Sequence, residues 1–305
     1  MWVRFIFSTS MVKCFHLIVI LGFTSFFTLQ AQTAKDYVAS GTIKDKTKNY
    51  KAAELEYSKA IALDPKCTQA YINRAMDYQC LKNYSASISD YTSAIKLTPT
   101  NDELYYNRAL VEQKIEDYKA ALKDYSKAIS LNSKHAKYFG GRGEVKYITA
   151  DYNGSIDDYD KAIAISASTA TFFYDKAKSE FKLQLFNEAI NDYTKALDLD
   201  SRFVLAYIGR AETKEKKKNL IGALEDCNSA IALNINEPYF YLLRGNIRRQ
   251  MQDNYNALKD YSQAIELDPN YIMAYNFRAA VKDRMGDSPG AIQDLNRAHE
   301  LKNKR

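Results

Sequence analysis

The chain has 305 residues, 46% of them hydrophobic, with 11 glycines, 5 prolines and a formal charge of +6. So few turn formers beside abundant Ala, Leu, Lys, Glu, Asp and Tyr suit a helical array. The charge is too small and too dispersed for a nucleic-acid surface, and it falls to +4 once residues 1–31, which carry Arg4 and Lys13 and no acid, are set aside.

Those first 31 residues form the first element. Arg4 and Lys13 precede an apolar run from Phe15 to Leu29, and Leu29-Gln30-Ala31 follows. A basic start, a short apolar core and a small residue at the cut describe a secretory signal peptide, with cleavage expected after Ala31. Met11-Val12-Lys13 would by itself make a compact start. The rival reading is a retained membrane anchor, since Cys14 to Ala34 is uncharged with His16 neutral and is long enough to span. Membrane contact is expected only if residues 1–31 are retained. Cys14 precedes the apolar core, which is the wrong place for a lipoprotein cysteine.

From residue 34 onward the chain repeats. Alanine stands at 60, 94, 128, 162, 196, 230, 264 and 298, a spacing of 34. Setting it at position 27 divides the chain into 34–67, 68–101, 102–135, 136–169, 170–203, 204–237, 238–271 and 272–305. Position 4 is always Tyr or Phe, from Tyr37 to Tyr275. Positions 8 and 20 are always small, and position 24 is Tyr except at Cys227 and Leu295. Positions 4, 8 and 11 share one face of a first helix, A; positions 20, 24, 27 and 28 share one face of a second, B. Polar pairs such as Lys82-Asn83 and Glu116-Asp117 mark the turn between them, and Pro65, Pro99 and Pro269 stop helix B. Folded antiparallel, position 4 lies level with 27 and position 8 with 24, so that large faces small at both levels.

Ala70-Tyr71-Ile72-Asn73-Arg74-Ala75, then Tyr84, Asp90-Tyr91, Ala94-Ile95, Leu97 and Pro99, together resemble a tetratricopeptide repeat. The resemblance runs from 34 to 305. It implies an all-α fold, a right-handed α-solenoid superhelix of antiparallel helix pairs, and a protein that binds other proteins. It says little about which ones. The end units are atypical, with Ser40 and Glu54 in the first and His299 at position 28 of the last, where the others carry Ile or Leu. His299 and the tail Lys302-Asn303-Lys304-Arg305 are expected to cap that end, or another subunit to cover it.

Nothing in the sequence has the spacing of catalytic or metal chemistry. Only His135 and His299 follow the leader; no His/Cys cluster, phosphate loop, nucleophile elbow or HExxH is present. No enzyme, cofactor or small-molecule substrate is expected. Cys67 and Cys80 flank one helix A and stand roughly 20 Å apart at 1.5 Å per residue, too far to bridge. Cys227 replaces a core Tyr as a small hydrophobe. The run Lys214-Glu215-Lys216-Lys217-Lys218 reads as a solvated helix end.

A charged ladder also recurs. Position 7 is Arg74, Arg108, Arg142, Arg210, Arg244 and Arg278, with Lys176 in the fifth unit. Position 23 is Asp90, Asp124, Asp158, Asp192, Asp226, Asp260 and Asp294, with Glu56 in the first. One reading is a basic rail for an acidic ligand; the favoured one is a half-buried ion pair per unit.

By the resemblance, positions 2, 5, 6, 9, 12 and 13 of the A helices line a concave groove. The candidates for contact with a protein or extended peptide are Asn73, Gln79, Tyr106, Asn107, Gln113, Tyr147, Tyr174, Phe181, Tyr239 and Asn246. Tyr106, Tyr147, Tyr174 and Tyr239 are surplus to the framework: they either grip a ligand or pack on their neighbours. Glu103, Gly141 and Thr42 stand where a carboxylate clamp for chaperone tails would need basic or amide groups, so that ligand is not expected. The whole reads as an exported scaffold, periplasmic or secreted. The alternatives are a membrane-tethered assembly factor and self-association through the solenoid ends.

Overall fold

The structure, a computed structural model, describes residues 32–303. The expected leader and the last two residues of the basic tail lie outside the described residues. Sixteen helices follow one another: α1 (Ala34–Lys46), α2 (Tyr50–Leu63), α3 (Thr68–Cys80), α4 (Tyr84–Leu97), α5 (Asp102–Lys114), α6 (Tyr118–Leu131), α7 (Ala136–Ile148) and α8 (Tyr152–Ile165), then α9 (Ala170–Lys182), α10 (Phe186–Leu199), α11 (Val204–Lys216), α12 (Leu220–Leu233), α13 (Pro238–Gln250), α14 (Asn254–Leu267), α15 (Ile272–Arg284) and α16 (Ser288–Asn303). The fold is an all-α solenoid of helix pairs, with no strand among the described residues. None of the described helices is long and apolar enough to cross a membrane.

The turn inside each pair is built the same way. Position 15 takes a left-handed backbone, φ 58–64° at Lys48, Lys82, Glu116, Ala150, Gln184, Lys218 and Gln252, and 85° at Gly286. This lets the next amide reach back to a carbonyl of the last helical turn, as from Asn83 to Tyr78 at 2.7 Å and from Asp151 to Lys146 at 2.8 Å. That next residue then caps the second helix. Asn49, Asn83, Asp117, Asp151, Asn219 and Asp253 each accept the amide three residues on. Leu185 occupies the same place before α10 and caps nothing.

Within a pair, position 24 lies on position 8. A Cβ built on Gly41 would fall 2.5 Å from the Tyr57 ring and one on Gly245 2.7 Å from Tyr261, so the small residue is what admits the ring. Where position 20 is Ser, its hydroxyl donates to the carbonyl of position 8, from Ser87 to Ala75 and from Ser155 to Gly143, both at 2.8 Å. Tyr57, Tyr91, Tyr125 and Tyr261 are fully buried, as are the alanines at position 27. Cys227 is buried too, and Cys67, Cys80 and Cys227 are free thiols.

The helices form two compact units, one ending at Thr98 and one starting at Pro99. In the first, α2 packs on α3, and α1 also touches α3. In the second, each helix from α5 to α16 packs on the next. There the first helices of successive pairs (α5, α7, α9, α11, α13 and α15) also touch one another, more closely than the second helices do. Within residues 99–303 the first helices therefore form the inner face of the curve.

Candidate functional site

The charged ladder lies between the two helices of each pair. Arg74 grips Asp90 with Nε and Nη2 at 2.7 and 2.8 Å, and its Nη1 donates to Ser58 of the preceding pair at 2.8 Å. Arg142 repeats this with Asp158 and Ser126, Arg210 with Asp226 and Thr194, Arg244 with Asp260 and Asn228, and Arg278 with Asp294 and Ser262. Arg108 grips Asp124 through the same two nitrogens. Lys176 spans Asp160 and Asp192 at 2.8 and 3.2 Å. The guanidinium groups are thus occupied inside the fold, and within each compact unit they tie a pair to the one before it, as from Arg74 to Ser58 and from Arg142 to Ser126, which is a structural arrangement rather than an open cationic rail.

A second charged position at this seam escapes the sequence reading, which placed position 11 on one face with positions 4 and 8 and gave it no partner. Lys146, Lys214, Arg248 and Lys282 bring a second cation to Asp158, Asp226, Asp260 and Asp294, all within 2.7–2.9 Å. Lys44 does the same for Glu56 at 2.7 Å, and the hydrogen bonds from Lys44 and Lys59 hold that carboxyl down at about 2. In two pairs position 11 is instead an acid. Glu112 is buried and Oε2 has no partner; burial, then the charge on Asp124, pushes its carboxyl up to about 7. Glu180 beside Asp192 is pushed up to about 8 for the same reasons. The column Lys44, Tyr78, Glu112, Lys146, Glu180, Lys214, Arg248, Lys282 carried this signal, since a polar column on a core face demands partners.

On the first-helix face the amides have work to do within the fold. Gln79 donates to the Tyr91 hydroxyl, Tyr125 donates to Gln113, and Tyr261 donates to Asn246, each at 2.9 Å. Asn73 accepts from Gln69 at 2.7 Å, and Asn107 is half-buried. Tyr106 packs on Tyr125 and Tyr138 under the Lys137 ammonium. Tyr239 is 37% exposed and donates to Glu212, whose carboxyl burial pushes up. Of the surplus aromatics, Tyr106 therefore packs mainly on neighbours.

Tyr147, Tyr174 and Phe181 come together. With Leu205, Ile208, Gly209 and Glu212 they line a depression of about 230 Å³ on the α7–α9–α11 face. Lys178 lies 4.8 Å from the Tyr147 ring centre and 5.3 Å from that of Tyr174, held by Asp175 at 3.0 Å. Tyr193 forms the floor. Sequence reasoning put Tyr193 in the framework and passed over Leu205, which is 52% exposed. Leu205 stands at position 2, one of the groove positions the resemblance implies, whereas only the geometry of three helices brings Tyr193 to the depression.

Four stretches match models described as tetratricopeptide repeat or TPR repeat: residues 37–67, 103–135, 174–238 and 245–286. Together they cover more than half the chain. This is a tetratricopeptide repeat protein. Among solved structures, this repeat protein is similar to the C-terminal part of a TPR repeat-containing protein from Cytophaga hutchinsonii, at 16% identity and TM-score 0.67, covering 79% of this chain and 98% of that one. It is similar to a tetratricopeptide repeat protein from Parabacteroides merdae at 18% identity and TM-score 0.61, covering 81% and 98%. It is also similar to YrrB, described as a TPR protein with an unusual peptide-binding site, at 21% identity and TM-score 0.53, covering 60% and 95%. At these identities the likeness concerns the fold. A search of curated proteins returns no match.

Proposed function

We propose that this tetratricopeptide repeat protein is an exported, non-enzymatic scaffold of eight 34-residue repeats that binds a protein or extended peptide along its first-helix face. The observation that carries the reading is the aromatic depression of Tyr147, Tyr174 and Phe181, an accessible surface on a scaffold whose ladder arginines are tied up internally. A rigid array loses little entropy on binding, so the flexible segment bears most of the ordering cost. The described peptide-binding site of YrrB is in keeping with this reading. The basic and apolar pattern of residues 1–31 supports export to the periplasm or medium, and the intact mass of the mature chain tests it. No nucleic acid or small-molecule substrate enters the proposal.

The test is affinity capture from an envelope extract. Wild type runs beside a Tyr147→Ser, Leu205→Ser variant with unchanged helicity and melting. A protein retained by wild type and lost by the variant supports the proposal; equal recovery from both overturns it.

Self-association is a second reading, and one surface favours it. The outer face of α15 and α16 bears a depression of about 380 Å³ with Ala279, Ala280 and Ala291, flanked by Ile292 and Leu295 at 58% and 50% exposure. Sedimentation velocity separates the readings: Ile292→Glu, Leu295→Glu abolishes concentration-dependent size if the ends stack.

A further inference from the structure

Position 24 supplies the observation. Among its tyrosines, Tyr57, Tyr91, Tyr125 and Tyr261 have hydrogen-bonded hydroxyls, served by Asp45, Gln79, Gln113 and Asn246. Asp45, Gln79 and Gln113 stand at position 12 and Asn246 at position 9; in the fourth and fifth pairs position 12 is Tyr147 or Phe181, and position 9 is Glu144 or Lys178, the latter held by Asp175. The Tyr193 hydroxyl accordingly has no partner among the described residues, although the side chain is 97% buried, being 3% exposed. A Cβ on Gly209 would lie 2.5 Å from the Tyr193 ring and 2.7 Å from its hydroxyl oxygen. Gly209 therefore admits the phenol end of Tyr193 against α11, where it reaches the floor of the depression. The ring is buried but the hydroxyl opens into the depression, so an acceptor on a ligand can take the place of water there.

The walls and rim define the ligand. Phe181, Tyr174 and Leu205 give apolar sides. The volume of about 230 Å³ exceeds the roughly 150 Å³ apolar cavity that takes benzene, so one large side chain fits. Of the two ammonium groups at the rim, Lys178 is held by Asp175, whereas Lys182 is exposed and pairs with no carboxylate among the described residues. Glu212 is bonded by Tyr239; burial pushes its carboxyl up, while the charges of Lys216 and Lys182 act on it in the opposite sense.

Resting on the peptide-binding reading above, we propose that this depression is a specificity pocket for an extended peptide bearing a large apolar residue next to a carboxylate. The apolar side chain enters between Phe181, Tyr174 and Leu205. Its main-chain carbonyl accepts from the Tyr193 hydroxyl, and the neighbouring carboxylate meets Lys182. The site distinguishes ligands by the pairing of a bulky group with a negative charge.

The test is selection of a random heptapeptide display library on the full chain, followed by affinity measurement of the enriched peptides. Expected is enrichment of Phe, Leu, Ile or Met adjacent to Asp or Glu. Tyr193→Phe removes a hydroxyl that holds nothing in the fold, so melting stays put while affinity falls about tenfold, the weight of one hydrogen bond. Lys182→Glu turns the adjacent preference from acidic to basic. Internal and C-terminal carboxylates are separated by amidating the synthetic peptides: retained affinity assigns the side-chain source, and loss assigns the terminus. Enriched peptides that ignore Tyr193→Phe and Lys182→Glu but are lost on Asn107→Ala, Glu144→Ala overturn the pocket and leave the groove reading standing. Peptides indifferent to every one of these variants, or no enrichment at all, overturn both.

Discussion

Replacing Glu112 with Lys should stabilise the protein, and more so at pH 8 than at pH 5. The side chain is 7% exposed, its Oε1 is 3.8 Å from Arg108 Nε, and its Oε2 has no partner. Burial and Asp124 raise the carboxyl from an ordinary 4.5 to about 7. A raised acid favours the protonated folded state, so this group costs nothing below about pH 4.5. The cost grows as pH rises and is complete above about 7. The difference between the two values corresponds to about 3 kcal/mol. In Glu112→Lys that cost disappears, and Asp124 gains a second cation in the manner of Lys146 on Asp158 at 2.8 Å. The expected gain is about 3 kcal/mol at pH 8 and about 1 kcal/mol or less at pH 5. Urea unfolding followed by circular dichroism at both pH values measures it. Amide exchange in α5 and α6 localises the effect, because a repeat array can open in parts. A variant less stable than wild type at pH 8, or a gain independent of pH, would refute the reasoning.

Other expectations follow from single positions. Leu185→Asp supplies the missing cap of α10 and should add about 1 kcal/mol, read as a higher urea midpoint; no change would mean that another group already serves the amides. Ala150→Gly relieves a left-handed residue at φ 64° and should stabilise by about 1 kcal/mol, whereas Ala150→Val should destabilise. Arg74→Ala strands Asp90 and should cost about 3 kcal/mol, with the Arg74→Ala, Asp90→Ala double variant costing less than the sum of the singles; additive costs would count against the pairing.

The repeat was legible because its framework obeys a steric rule that residue types announce. A ring at 24 needs a small residue at 8, and Gly41, Ala75 and Gly143 supply it in turn. The Arg-to-Asp reach was legible for a similar reason, since two charges recurring in step sixteen residues apart invite pairing. The pairing of position 11 went unread: helical spacing puts it on the face it shares with 4 and 8, but its partner depends on long Lys and Arg stems reaching back to Asp158 or Asp226. Leu185 stood out only as a break in a column of Asn and Asp. The aromatic depression was half visible. Tyr147, Tyr174 and Phe181 could be assigned to one face, but the reach of the Tyr193 phenol to the floor follows from Gly209 in the next helix and from Phe181 in place of a glutamine.

Which face takes the partner is the claim most worth testing directly. A photo-crosslinking amino acid placed in living cells at Leu205 on α11 and, separately, at Tyr255 on α14 addresses it. Both side chains are well exposed, at 52% and 63%. The account predicts a discrete crosslinked partner from position 205 and none from position 255. A partner captured from 255 alone would move the binding surface to the second helices and contradict it.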